Sequence, residues 1–223
     1  SRFPKEHFIP LLSASISTVY RKRQRSYTAI AQQLLACVKG HTGTYMAFFP
    51  SYSYMNHVVE IFVDIAPGVS ILVQEKGIDD EKRKGFLEEL SRARDESFLA
   101  FAVMGGIFGE GIDLLGSKLI GAAIIGIGLP RLCFERNLLR EYFDEAGECG
   151  FSYAYLYPGM IRVLQAAGRV IRSSADRGIV LLIDERFARR DTRRLLPSHW
   201  PEAKVVRTST AIATAVRDFF VSD

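Results

Sequence analysis

Arg162, Gln165, Arg169 and Arg172 recur at intervals of three or four in the run "IRVLQAAGRVIR" (Ile161 to Arg172). On a helix advancing 100° per residue they fall within an arc of about 80°, beside an apolar face of Ile161, Leu164, Ala167, Gly168 and Ile171. Guanidinium forks bind phosphate oxygens through two parallel charge-assisted hydrogen bonds, so the row suits a phosphorylated ligand. The plainer reading is an amphipathic helix with a solvated basic outer face. Gly168 costs about 1 kcal/mol against alanine in a helix, a cost that makes sense where another backbone passes close by.

A second candidate is "GGIFGEGIDLLGSK" (Gly105 to Lys118). A phosphate-binding GxxxxGK[ST] loop needs lysine followed by a hydroxyl residue. Here Gly111 to Lys118 reads "GIDLLGSK", with the two transposed. A GxGxxG dinucleotide fingerprint fails as well, because Gly109 and Gly111 are followed by Leu114, and Gly126 and Gly128 by Arg131. What remains is a carboxylate pair, Glu110 and Asp113, around Gly111 and directly after an apolar run, or a solvated glycine-rich turn. Ser51 follows "FFP" where a strand gives way to a helix. Its hydroxyl and the free N–H groups of the first turn could receive a phosphate, or the hydroxyl could simply cap the helix. Tyr52 could touch a sugar or base, or pack beneath the following helix. Two basic clusters, Arg21 to Arg25 ("RKRQR") and Arg186, Arg189, Arg190, Arg193 and Arg194, are assigned to no ligand. Asp184, Glu185 and Asp191 dilute the second, which reads as a solvated face.

These residues need a scaffold. "TYMAFFP", "VSILVQ", "SFLAFAVM", "KLIGAAIIGIGL" and "GIVLLID" have strand length and near-continuous apolar character. Helical patterns separate and follow them at Ser51 to Ala66, Asp79 to Arg94, Leu132 to Gly147, Pro158 to Ser173 and Arg186 to Leu196. The alternation predicts an α/β fold, a parallel sheet with helices on both faces. "AKVVRTS" and Thr210 to Val221 add a last strand and helix. In the less regular first 40 residues, "SASISTVY" reads as an edge strand and Tyr27 to Val38 as a helix. One domain is expected over residues 1–223, with 1–43 as a lead-in and 44–223 as the core. In such sheets ligands lie beyond the carboxyl ends of the strands.

Composition narrows the classes. With 48% hydrophobic residues the 223-residue chain can bury one sizeable core. A net charge of +4 and pI of about 9.0 permit a polyanionic partner without requiring one. Cys37, Cys133 and Cys149 are widely spaced, and the four histidines form no ligand pattern. No metal site and a cytoplasmic setting are therefore expected. The longest apolar run is too short to span a membrane, so no membrane partner is expected.

Taken in order, "FFPSY" (Phe48 to Tyr52), "GGIFGEGIDLLG", "QAAGRVIR" (Gln165 to Arg172) and "DRGIVLLIDERF", with "YRKRQRSY" upstream, resemble the second RecA-like domain of superfamily 2 helicases. In finer detail they resemble the DinG/XPD branch of DNA helicases, where the first three would be motifs IV, V and VI. The resemblance implies a RecA-like sheet in one half of a motor. Arg169 and Arg172 would reach the γ-phosphate of ATP with Mg2+, bound mainly by the first helicase domain of the same polypeptide. Gln165, Glu110, Gly111 and Asp113 would line or couple to that cleft, with Asp113 meeting the ribose or a motif VI arginine. Ser51 and Tyr52 would touch single-stranded DNA, and movement would run 5′ to 3′. The phosphate loop, the acidic metal-binding box and the four-cysteine insertion of the family are not in this chain. It is thus expected to be a fragment of a longer helicase serving DNA repair, inactive alone. An iron-sulfur cluster would belong to the full-length protein and not to this chain. A non-hydrolysing nucleic-acid-binding module of the same fold is the alternative. A Rossmann-type enzyme would need the fingerprint that fails.

Overall fold

The computed structural model describes residues 5–92, 94–105, 119–170 and 176–221. Within them lie seven strands: β1 (Phe8–Ser13), β2 (Thr44–Phe49), β3 (Ser70–Val73), β4 (Phe98–Val103), β5 (Leu119–Ile125), β6 (Gly178–Ile183) and β7 (Lys204–Val206). They pair in the order β3-β4-β2-β5-β6-β1-β7, every pair parallel. β2, β4 and β6 are buried at every position, as parallel strands covered on both faces must be.

The period of two divides each strand between two cores. Leu99, Phe101 and Val103 of β4 face α1 (Tyr27–Gly40), α2 (Tyr52–Ile65) and α7 (Ser209–Val221). Phe98, Ala100 and Ala102 face α3 (Asp80–Ser91) and α5 (Tyr157–Ala167). On the first side Phe101 is wholly buried, its ring centroid 5.5 Å from Phe62 and 6.1 Å from Phe49. Asp79 caps α3 by accepting from the Lys82 N–H at 2.8 Å, and Asp80 and Glu81 suit the positive end of that helix. α4 (Phe134–Glu145) buries none of its residues. It rests on a π-helical segment, Ser152–Leu156, which runs directly into α5.

The expected alternation is present, with corrections. The strand predicted at "SASISTVY" lies instead at Phe8–Ser13, inside the sheet between β6 and β7. Pro10 obscured it. The Ser13 carbonyl accepts from the Asp184 N–H, so odd residues of β1 face β6 and even ones face β7. β7 begins pairing only at Leu11, so the N–H that Pro10 lacks would have pointed where no strand yet runs. The helix predicted over Arg186 to Leu196 is broken into a 3-10 turn, Glu185–Ala188, and a short α6, Arg190–Arg193.

Candidate functional site

At the carboxyl end of β2, Ser51 is the extended N-cap of α2, its hydroxyl accepting from the Tyr54 N–H at 3.4 Å. The N–H groups of Tyr52 and Ser53 follow, in the part of a helix where no carbonyl lies a turn earlier. An anion above this turn would meet open donors and the positive end of the helix. The Tyr52 hydroxyl accepts from Gln74 Nε2 at 2.8 Å, while Gln74 Oε1 accepts from the Val103 N–H at 2.8 Å. Gln74 is only 2% exposed, so this chain ties the ends of β2, β3 and β4 together. Burial, partly offset by Gln74, raises the Tyr52 hydroxyl above the usual tyrosine range. Of the two readings of Tyr52, packing is the one seen: its ring lies against the core beside α2, and its oxygen is engaged within the domain.

A second network joins this turn to the segment after β1. Asp184, fully buried at the end of β6, accepts from Arg186 Nε at 2.8 Å and Nη2 at 2.8 Å, and from the Thr18 hydroxyl. Arg23 donates to the Thr18 carbonyl at 3.2 Å and lies 4.9 Å over the Tyr54 ring. The Tyr54 hydroxyl meets Ser26 Oγ at 2.6 Å. Burial lowers the Arg23 pKa and pushes the Tyr54 hydroxyl up to about 12. The solvated-face reading thus fails at Arg186, whose side chain is 15% exposed, whereas Arg189, Arg190, Arg193 and Arg194 are exposed. Sequence reading missed this network because Asp184 looked like one more surface charge. Its place at the very end of an all-apolar strand was the available signal.

The third element is α5. Gly159 lets its first turn meet the loop after β5, since a Cβ there would stand 2.5 Å from the Ile127 carbonyl oxygen. At its far end Val170 packs over Gly178, its Cγ1 2.2 Å from where a Cβ would be. α5 therefore runs from the carboxyl ends of the strands toward the amino end of β6, about 16 Å at 1.5 Å per residue. Its buried row is Met160, Val163, Ala166 and Ala167, and Val170 continues it beyond the helix end. Of the apolar face predicted from sequence, Ile171 lies outside the described residues, and among the rest only Ala167 is buried: Ile161 is 55% exposed, Leu164 half-buried and Gly168 exposed. The core selected the flanking row because Gly159 fixes how the helix docks. Gln165 is exposed, and Arg162 lies across Gly105, the end of the β4 turn, its Nε 3.0 Å from the position of a Cβ. That glycine has φ +69°, a conformation side chains rarely adopt.

The helix ends at Ala167, so Arg169 belongs to the turn beyond it and not to one continuous helical face. Gly168 is its C-cap, and the nearest atoms to an added Cβ are carbonyls of its own helix. Among the described residues it admits no neighbouring backbone. Arg169 is half-buried toward the amino ends of β5 and β6, away from Ser51 at the carboxyl end of β2. The expected residues therefore occupy two places: Ser51 and Tyr52 lead α2, and Gln165 and Arg169 close α5. Glu110, Gly111, Asp113 and Arg172 lie outside the described residues. Among the described residues no three histidine, cysteine or acidic side chains gather to hold a metal, and no helix is long and apolar enough to cross a membrane.

A model of the helicase C-terminal domain family matches residues 34–203. Regulator of telomere elongation helicase 1 from Bos taurus is 29% identical over 194 residues, covering 78% of this chain and 16% of that protein. The XPD helicase subunit of general transcription and DNA repair factor IIH from Dictyostelium discoideum is 28% identical over 197 residues, 82% of this chain and 25% of its own length. The chain thus spans about a sixth to a quarter of these relatives. Among solved structures, apo XPD superposes with a TM-score of 0.72 at 20% identity, over 90% of this chain and 40% of that one. The C-terminal domain of the DEAD-box protein Dbp5 does so at 0.53 and 12%, over 96% and 98%. The fold is therefore that of a RecA-like helicase domain, and the chain belongs to the helicase C-terminal domain family, with relatives among the XPD and DinG-type helicases.

Proposed function

We propose that this chain is the second motor domain of an ATP-dependent DNA helicase that moves 5′ to 3′ on single-stranded DNA. Arg169 and Arg172 would approach the γ-phosphate of ATP with Mg2+ seated in a first helicase domain, and Gln165 would line the same cleft. Glu110, Gly111 and Asp113 would connect that cleft to the DNA. Ser51, with the open N–H groups of α2, would take a DNA phosphate. Tyr52 would lend its exposed edge while its hydroxyl stays on Gln74. Closure on ATP and reopening after hydrolysis would alternate the two domains' grips on the strand. The chain alone would hydrolyse little ATP, because it supplies only one side of the cleft.

The observation that carries the reading is α5. Its core row is filled by Met160, Val163, Ala166 and Ala167, which leaves Gln165 turned outward and Arg169 just beyond the helix end. Arg162 meanwhile holds the root of the segment containing Glu110 and Asp113. Arginines that neutralise a transferring phosphoryl group contribute about 10³ to 10⁵ in rate. Arg172→Ala in the complete protein should therefore reduce DNA-stimulated ATPase at least about 10³-fold while single-strand binding persists. ATPase at the parental rate in that variant would remove Arg172 from the role.

A further inference from the structure

The 3-10 helix Tyr20–Arg25 lies between β1 and α1, buries none of its residues, and has no part in the reading above. Tyr20 is 81% exposed, and Arg21, Lys22, Gln24 and Arg25 are exposed around it. This surface is nevertheless fixed. The Arg23 guanidinium contacts two tyrosine rings, 5.5 Å from the centroid of Tyr20 and 4.9 Å from that of Tyr54. Ser26 bonds both the Arg23 carbonyl, at 2.6 Å, and the Tyr54 hydroxyl, while Thr18 is held on Asp184. Tyr54 belongs to the first turn of α2, capped by Ser51. The exposed tyrosine and the α2 N-terminus are therefore parts of one braced surface, linked through Tyr54.

The segment itself carries charge of one sign: no aspartate or glutamate occurs between Glu6 and Glu60, a span that includes the 3-10 helix, α1 and the first half of α2. Of the carboxylates the end of β6 brings to the segment after β1, the buried Asp184 is neutralised by Arg186 and Glu185 accepts from the Ser17 hydroxyl at 2.7 Å. A fixed, exposed aromatic ring among cations is how proteins hold single strands: the ring stacks on a base and the cations follow the phosphates.

We propose that the single-strand track continues from the N-terminus of α2 onto this 3-10 helix, with Tyr20 stacking on a base and Arg21, Lys22 and Arg25 meeting the flanking phosphates. The proposal rests on the reading of the chain as a DNA-binding half of a helicase. Arg23 is the positioning residue, since its contacts are spent on Thr18, Tyr20 and Tyr54.

The test is fluorescence anisotropy of this chain with an oligothymidylate of about 15 nucleotides, titrated across a salt series starting near 50 mM. Tyr20→Ala should weaken binding about tenfold with an unchanged salt slope, and Tyr20→Trp should restore it. Arg21→Ser, Lys22→Ser and Arg25→Ser together should flatten the log–log salt slope by about 2. Tyr20→Ala should also relieve the quenching of a 2-aminopurine placed in the strand. Because Tyr20 is exposed, the variants should melt like the parent. Parental binding by Tyr20→Ala, with the salt slope unmoved in the triple variant, overturns the proposal and leaves the Ser51 turn as the DNA contact. A flattened slope without any effect of Tyr20→Ala also overturns it, leaving the cations as phosphate contacts with no base stacked on Tyr20. No single-strand binding by the parental chain even at low salt removes the DNA reading itself.

Discussion

At the carboxyl ends of β1 and β6, Asp184 has its counter-charge in Arg186, the Thr18 hydroxyl closes the pair, and Arg23 lies against Tyr54. Just ahead of α4, Leu132 is 74% exposed, and along α4 and α5 Phe134 is 77% and Ile161 55% exposed, while Gln165 faces outward. One region pairs its buried charges within the domain, and the other leaves both apolar and hydrogen-bonding groups open. Substitutions in the first should register as lost stability. On the outer row of the second they should leave the fold intact and register in activity.

The largest expected effect tests the open region. Arg169→Ala in the complete protein should reduce DNA-stimulated ATPase about 10³-fold, roughly 4 kcal/mol, with single-strand affinity nearly unchanged in an anisotropy titration. ATPase within a few-fold of the parent would place the turn after α5 away from the nucleotide. On the closed side, Arg186→Ala strands a buried carboxylate and should cost about 3 kcal/mol. For a domain of this size that lowers the melting temperature by about 6–12 °C. Calorimetry showing an unchanged melting temperature would mean that Asp184 finds another counter-charge.

Gly159→Ala probes the seam between the regions. Its Cβ would meet the Ile127 carbonyl and should cost about 2 kcal/mol in a urea titration, because backbone on both sides cannot yield. A neutral result would show that α5 docks more loosely than its contacts imply. Between pH 10 and about 12, stability should fall as pH rises, since the unfolded chain releases the Tyr54 proton before the folded one does. Tyr54→Phe should make that slope shallower by about one proton. The buried Cys37 thiol, also pushed up to about 12, acts in the same direction and remains in the variant. An identical slope in the variant would remove Tyr54 from the transition. The smallest effect belongs to the exposed stripe of α4: Leu138→Ser should change stability by less than about 0.5 kcal/mol. A larger loss would mean that the stripe is covered in solution.

The parallel sheet was legible because β2, β4, β5 and β6 are nearly unbroken apolar runs, which only strands covered on both faces require. β1 was misplaced because Pro10 breaks the propensity of a strand whose tolerance for it depends on where β7 starts. The two candidate regions were legible as clusters in sequence, but their separation was not. Spacing gives the angle of Gln165 and Arg169 around a helix, whereas the contacts at Gly159 and Gly178 fix which end of the sheet they reach. Ile161 and Leu164 were assigned to the core because hydrophobicity alone cannot distinguish a face against the sheet from one left open. The bonds from Tyr52 to Gln74 and from Thr18 to Asp184 join residues far apart in the chain, which no local pattern records.

The position of β1 has a consequence for synthesis. It lies between β6 and β7, so one edge must wait for the stretch from Gly178 and the other for the stretch from Lys204 before its backbone groups find their ladder. At about 5–20 residues per second a ribosome takes on the order of ten seconds or more to deliver those partners. During that interval "FIPLLS" is an apolar strand with two open edges. Pro10 withholds one donor from any strand that might pair there first, so the residue that disguises β1 also guards it during translation.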